Sequence, residues 1–219
     1  MKNKRVHAVI FGPQGCGKGT QGILLAERFN IPLVGAGDLF RAEMTAKSNL
    51  GKLASQYVDQ GLLAPDELVN AIVTRQLKRM DLKRGFILDG YPRNVEQAAY
   101  LDRVLTVNLA IQLKIEDAEV IRRLSGRWQC PKCKHVYHET EAPPAKKGIC
   151  SLCGHALIRR ADDTPEVIKQ RLKAYHYMTA PLATYYRQKG ILLVINGAQA
   201  IQYVFEDLVN KLAKLSFTP

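Results

Sequence analysis

Long apolar runs are missing from this chain of 219 residues. None approaches the roughly 18 residues that a membrane-crossing helix needs, so the sequence offers no such helix. Acidic residues are scarce: 20 Asp and Glu stand against 32 Lys and Arg, a net charge of +12. That imbalance excludes a cationic partner as the first reading and favours an anionic one, either nucleotides or nucleic acid. Apart from Lys2, Lys4 and Arg5 the cations are dispersed, as on a solvated surface. Internal repeats and long low-complexity segments are absent; residues 142–147 form only a short Pro- and Lys-rich loop. Cysteine is limited to five residues, four of them in two Cys-x-x-Cys pairs. What is abundant is hydrophobic residues, 47% of the chain, enough for a sizeable core without staples. The length fits one domain, or one core with insertions. The basic N-terminus followed by Val6–Phe11 superficially resembles a secretory signal. Its apolar part is short, includes His7 and runs into the next motif, so it reads as a strand and the chain as cytoplasmic.

That motif is Gly12-Pro-Gln-Gly15-Cys16-Gly17-Lys18-Gly19-Thr20. It lies between an apolar strand pattern and a helical pattern from Gln21 to Phe29. A glycine-rich loop in this context turns its backbone N–H groups around a phosphate, with the helix N-terminus and Lys18 supplying positive charge. The general pattern places Ser or Thr directly after Gly-Lys; here Gly19 intervenes before Thr20. Cys16, beside the helix start and Lys18, is expected to have a lowered thiol pKa and to be alkylated unless ATP covers it.

Strand patterns fall at 6–11, 33–34, 85–89, 107–113 and 191–195. Helical patterns fall at about 18–29, 37–47, 50–60, 65–80, 94–105, 116–125, 164–188 and 199–214. The alternation predicts an α/β fold with a parallel sheet covered by helices on both faces, and ligands at the C-terminal ends of the strands. Three helices between strands two and three, and a loop-like stretch from Gly126 to Asp163, break the alternation and read as two insertions.

The second strong element is Phe86-Ile-Leu-Asp89-Gly90-Tyr-Pro-Arg93, followed by Gln97. Asp89 leaves a buried strand at the level of the phosphates, where a carboxylate can hold Mg²⁺ directly or through water. With Gly-Lys-Gly-Thr, this element resembles the adenylate kinases, a family of nucleoside monophosphate kinases. The resemblance covers almost the whole chain, including Gly37–Arg41, Gly61–Val69, Arg123–Arg127, Arg159–Asp163 and Arg171–Leu182.

The resemblance implies a P-loop core of 1–34, 65–125 and 164–219, a helical monophosphate-binding domain of 35–64 and a lid of 126–163 hinged near Gly126 and Asp162–Thr164. It implies reversible transfer of the terminal phosphate of Mg-ATP to AMP, giving two ADP, by a monomer. By resemblance Arg41 and Arg93 hold the monophosphate, while Lys18, Arg127, Arg160 and Arg171 surround the transferring group. The ATP site takes in Gly12, Gly15, Cys16, Gly17, Lys18, Gly19, Thr20, Arg123, Arg127 and Gln199, with Arg123 near the base. The AMP site takes in Ala36, Arg41, Ala64, Gly90, Arg93, Gln97, Arg160 and Arg171, with Gln97 reading adenine; Asp89 holds Mg²⁺ through water. One departure stands out. The family's Thr before the monophosphate-site helix is Ala36 here, which predicts relaxed selectivity, with measurable UMP or CMP phosphorylation.

Cys130-x-x-Cys133 and Cys150-x-x-Cys153, 16 residues apart, have the spacing of a closed structural zinc site. Iron or cobalt fits the same ligands. His135 and His138 are nearby alternative ligands. Gly154 suits the second knuckle's turn, whereas Lys134 stands at the equivalent place in the first. Cys₄ knuckles on a basic chain also occur in zinc ribbons that bind nucleic acid. Against that reading, the segment's charges are mixed and its aromatics are few, Trp128 and Tyr137.

Overall fold

The computed structural model describes residues 4–58, 64–133, 135–159 and 163–217. Five parallel strands form the central sheet: β1 (His7–Phe11), β2 (Leu33–Gly35), β3 (Phe86–Asp89), β4 (Leu109–Lys114) and β7 (Leu192–Asn196). Their spatial order is β2-β3-β1-β4-β7. β1, β3 and β4 are almost wholly buried because apolar side chains point to both faces. On one face, Ala8, Ile10, Ile87, Ile111 and Leu113 pack with Leu25 of α1 (Lys18–Phe29) and with Val204, Leu208 and Leu212 of α9 (Ile201–Lys214). On the other, Val9, Phe86 and Leu88 pack with Val73 and Leu77 of α4 (Asp66–Leu77), Ala98 and Leu101 of α5 (Val95–Val104), and Tyr186 of α8 (Leu182–Gln188).

The first insertion is α2 (Ala36–Thr45) and α3 (Asn49–Val58). A small cluster around Ala54, Leu68 and Ile72 packs it on α4. α3 approaches α2 so closely that a Cβ on Gly51 would lie 1.9 Å from the Glu43 carbonyl oxygen.

Two parts depart from the sequence reading. The predicted helix 164–188 is broken. α7 (Pro165–Ala174) passes into a wider turn, Tyr175–Thr179, in which Ala180 N–H reaches back five residues to Tyr175 O at 2.9 Å. Pro181 lacks an N–H and its ring would collide with the carbonyl four residues back, so the α-helical pattern cannot pass through it. The stretch after α6 (Asp117–Ser125), read as loop, contains a two-stranded antiparallel sheet. β5 (Arg127–Gln129) pairs there with β6 (Val136–His138), and Trp128 lies opposite Tyr137. Strands of three residues are too short for alternation to be legible.

Candidate active site

The glycine-rich loop joins β1 to α1 at the C-terminal edge of the sheet. Gly12 has φ +155°, and a Cβ there would lie 2.6 Å from the Leu113 carbonyl oxygen, so no side chain fits. The Lys18 ammonium donates to the carbonyls of Gly12 at 2.9 Å and Pro13 at 2.8 Å, which fixes it over the loop. Cys16 corrects the sequence expectation. Its side chain turns into the core beside Ile111 and Leu113. Burial pushes its thiol up, and the nearby Lys18 charge does not overcome that.

Asp89 ends β3 in register with Ile10 and Gly35 of the strands on either side. A Cβ on Gly19 would lie 3.7 Å from its Oδ2, so the carboxylate faces the loop across the cleft. Burial raises its pKa; Lys18 and Arg93 oppose the rise and Asp38 adds to it. Such a hard oxygen donor between two cations fits a water-shelled Mg²⁺.

Arg93 follows in the next turn, with its Nε donating to Gly90 O at 2.9 Å. Its carbonyl accepts from Thr179 Oγ1 at 2.7 Å. The residue is exposed, but its guanidinium sits among the crowded groups of the cleft. Burial lowers its pKa, Asp89 opposes this and Arg171 reinforces it. Asp89 is therefore within electrostatic reach of Lys18 and Arg93, and Arg93 of Arg171. Arg171, on α7, donates to Gln14 Oε1 at 2.6 Å and so ties that helix to the loop.

The other arginines have acidic or carbonyl partners. Arg127 grips Asp163 with Nε at 2.8 Å and Nη2 at 2.5 Å, and the two side chains are only 13% and 4% exposed. Arg123 pairs with Glu119 and donates to the carbonyls of Gly197 and Ala198 at 2.8 and 2.9 Å and of Gln199 at 3.4 Å. Arg123 and Gln199, both expected in the ATP site, are thereby in contact. Arg41 pairs with Asp38 at 2.5 Å on the exposed side of α2. Arg160, Lys134 and Asp162 lie outside the described residues. Ala36 is buried at the start of α2, and its Cβ lies 4.0 Å from where a Gly90 Cβ would be. Ala64 packs at the edge of the α2–α4 cluster, away from a polar role of its own.

Gln97 is buried, and its amide is engaged within the protein. Oε1 accepts from Arg93 N–H at 2.7 Å, and Nε2 donates to Asp66 Oδ1 at 2.7 Å. By sequence Asp66 is only the second residue of the helical pattern 65–80. Asp163, expected near a hinge, pairs with Arg127, and Thr164 beside it caps α7 by accepting from Val167 N–H at 3.4 Å. Asp66, Asp163, Glu119 and Gln14 are the supporting residues that sequence reasoning missed. The partners of Asp66, Asp163 and Gln14 lie 31, 36 and 157 positions away, where no local pattern reveals them; Glu119 and Arg123, four apart on α6, are a pair that helical spacing could have shown.

In the lid, the Sγ atoms of Cys130, Cys133, Cys150 and Cys153 lie within 4.8 Å of one another. Two of the separations are 3.4 and 3.5 Å. A tetrahedron with metal–sulfur bonds of about 2.3 Å has edges of about 3.8 Å, so the four thiols fit a metal ion. Burial raises the Cys150 thiol, but hydrogen bonds from Tyr137 and from backbone N–H groups bring it down to about 6, whereas Cys133, despite a backbone hydrogen bond at His135, is pushed up to about 12 by burial and the neighbouring sulfurs. Gly154 takes φ +73°, as the knuckle turn predicts. His135 and His138 stay outside the cluster. His138 is engaged with the N–H groups of Thr140 and Glu141 instead.

Among the described residues no helix is long and apolar enough to cross a membrane. The family model for adenylate kinase matches residues 10–191. The chain is 44% identical to an adenylate kinase of Caldanaerobacter subterraneus over 93% of its length and 94% of the relative's. It is 40% identical to an adenylate kinase of Methanosarcina acetivorans over 96% of its length and all of the relative's. A third, from Acidothermus cellulolyticus, is 44% identical over 90% of this chain and 93% of its own. The zinc-ribbon alternative accounts for the cysteines alone, whereas the adenylate kinase relatives match along nine-tenths or more of the chain. With the family model matching residues 10–191 and relatives of 40–44% identity covering nine-tenths or more of it, the chain belongs to the adenylate kinase family.

Proposed function

We infer that the chain transfers the terminal phosphate of ATP to AMP, reversibly giving two ADP. The observation that carries this reading is the convergence of Lys18, Asp89, Arg93 and Arg171 at the mouth of the phosphate loop. The acceptor is already an anionic phosphate, so the reaction asks for positioning and charge stabilisation rather than a strong base. The loop N–H groups and Lys18 hold the donor phosphates. Arg93 and Arg41 hold the acceptor, each guanidinium able to grip two oxygens. Arg171, and with the lid closed Arg127 and Arg160, face the group in transit. Arg127 reaches that position by exchanging Asp163 for phosphate oxygens. Closing the lid, 126–163, over the insertion, 35–64, and the core of 1–34, 65–125 and 164–219 keeps water from the donor. Mg²⁺ bound with ATP would neutralise phosphate charge, with Asp89 holding its water shell. The lid cysteines would hold zinc, or iron or cobalt, as a closed structural ion that takes no part in the chemistry. The working unit is a cytoplasmic monomer that needs no nucleic acid.

A second reading concerns the acceptor. Ala36 stands beside Gly90 without a hydroxyl, so the site discriminates less strongly than one with threonine there. Coupled assays of purified protein with AMP, CMP, UMP and GMP test both readings. AMP should be the best acceptor, with measurable pyrimidine turnover. Ala36→Thr should raise AMP preference by about 1 kcal/mol, the worth of one hydrogen bond. No AMP turnover would overturn the first reading; an unchanged preference in the variant would overturn the second.

A further inference from the structure

Asp66 opens α4, 31 positions before Gln97, yet its two carboxylate oxygens are divided between two side-chain amides. Oδ1 accepts from Gln97 Nε2 and Oδ2 from Asn94 Nδ2, both at 2.7 Å. The opposite end of each amide meets a backbone donor. Gln97 Oε1 accepts from Arg93 N–H at 2.7 Å, and Asn94 Oδ1 accepts from Gln97 N–H at 2.7 Å. Backbone N–H groups only donate and a carboxylate only accepts, so neither amide can turn over without facing donor to donor and acceptor to acceptor. α4 does not depend on this link to stay in place. Its Asn70 also accepts from the Tyr91 hydroxyl at 2.6 Å, and its apolar face is buried.

We propose that Asp66 is the specificity-positioning residue of the acceptor site, because it holds the Gln97 amide in one of its two orientations. The proposal rests on the reading of Gln97 as the residue that meets the acceptor base. In the fixed orientation Nε2 keeps one further proton and Oε1 one further lone pair. That edge matches a base whose unprotonated ring nitrogen stands next to an amino group. Adenine and cytosine have that pattern. Hypoxanthine, guanine and uracil present a ring N–H beside a carbonyl, and would need the amide reversed. The pyrimidine that this site admits is therefore CMP and not UMP. With Asp66→Asn, only one of the two amides keeps an acceptor, and the reversed Gln97 amide becomes accessible.

The test is the ratio of kcat/KM for AMP over IMP, with ATP binding measured separately. Wild type should favour AMP over IMP, and CMP over UMP, by at least 10-fold. Asp66→Asn should lower the AMP/IMP ratio about 10-fold and raise KM for AMP more than it lowers kcat, leaving ATP binding unchanged. Asp66→Glu, which keeps both acceptor oxygens, should recover much of the ratio. The Asp66→Asn, Gln97→Glu double variant keeps the charge and restores every donor–acceptor pair. It serves if the single variant does not fold, and it should push the ratio toward IMP. A wild type that phosphorylates no monophosphate overturns the kinase reading itself. A wild type that uses AMP and IMP alike, or variants that keep the wild-type ratio, overturn the role of Asp66 alone.

Discussion

Burial raises the Asp89 carboxyl above its ordinary value of about 3.8, and Lys18 and Arg93 oppose the rise without cancelling it. The folded protein thus holds that proton more tightly than the unfolded chain does. The stability linked to it is full below the unfolded value and is lost as pH rises through the folded one. At neutral pH, where this carboxyl is ionised in the unfolded chain, the buried group therefore costs stability. Asp89→Asn should raise the melting temperature at pH 7 while lowering kcat by about 10–100-fold, the usual cost of a lost outer-shell metal partner. A lowered melting temperature, or unchanged turnover, would contradict this. Arg93 makes the opposite case. Its removal should cut turnover at least ~10²-fold, since one lost transition-state donor costs about 3–4 kcal/mol, with little change in melting. Near-normal turnover would take Arg93 out of the mechanism. The glycines, Lys18, Asp89 and Arg93 were legible because they sit within short motifs whose spacing has a mechanical reason. Asp66 was not, because its role arises only when residues 31 positions apart meet. Cys16 was misread because nearness in sequence to Lys18 says nothing about which way the side chain turns.

At the scale of elements, the described residues of the lid have almost no core besides the four cysteines. Among those residues, Cys130 and Cys150 pack with Tyr137 and Leu157, flanked by Trp128 and Cys153. Without a metal, four thiols would have to pack together in a cluster too small to bury much apolar area. Purified protein should carry one metal ion per chain by elemental analysis. Chelation, or Cys150→Ser, should lower the melting temperature by roughly 4–8 °C if the ion contributes even ~2 kcal/mol. Some phosphotransfer should persist, because Lys18, Asp89 and Arg93 lie outside the lid. Abolished turnover in a folded variant would make the metal catalytic, and a metal-free protein with unchanged melting would remove the site. The sheet and most helices follow the predicted alternation to within about two residues, since long apolar strands and amphipathic helices impose their own period. The wide turn at Tyr175–Thr179 and the β5–β6 pair escaped it. The first depends on how Pro181 perturbs the preceding turn, the second on strands of only three residues whose pairing is tertiary.

Across the whole molecule, charge is distributed unevenly along the sheet axis. Near the C-terminal edge of the strands and in the lid, Arg41, Arg122, Arg123, Arg127 and Arg159 all have carboxylate partners. At the opposite edge, where β1 and β3 begin, Lys4, Arg5, Lys78, Arg79, Lys83 and Arg84 are all exposed and none of the six forms an ion pair among the described residues. The Arg5 guanidinium donates to the Lys83 carbonyl, which holds two of these cations side by side. Asp81 is the acid nearest in sequence, and it accepts from Lys83 N–H at 3.0 Å. Two like charges about 8 Å apart in water repel by roughly 0.5 kcal/mol, so six together oppose folding by an amount on the order of 1–2 kcal/mol. Salt screens such exposed charges over distances beyond about 10 Å at 0.1 M and about 3 Å at 1 M. Raising NaCl from about 0.02 to 0.5 M should therefore raise the melting temperature by roughly 2–4 °C, the equivalent of about 1 kcal/mol for a chain of this length. Arg84→Glu should bring a similar gain at low salt and almost none at high salt, because it removes the same repulsion. Lys18, Arg93 and Arg171, the cations proposed to meet phosphate, lie at the other edge, so kcat should stay at the wild-type value. Equal gains for the variant at both salt concentrations would point to a local packing effect instead, and would show that repulsion along this edge does not limit stability.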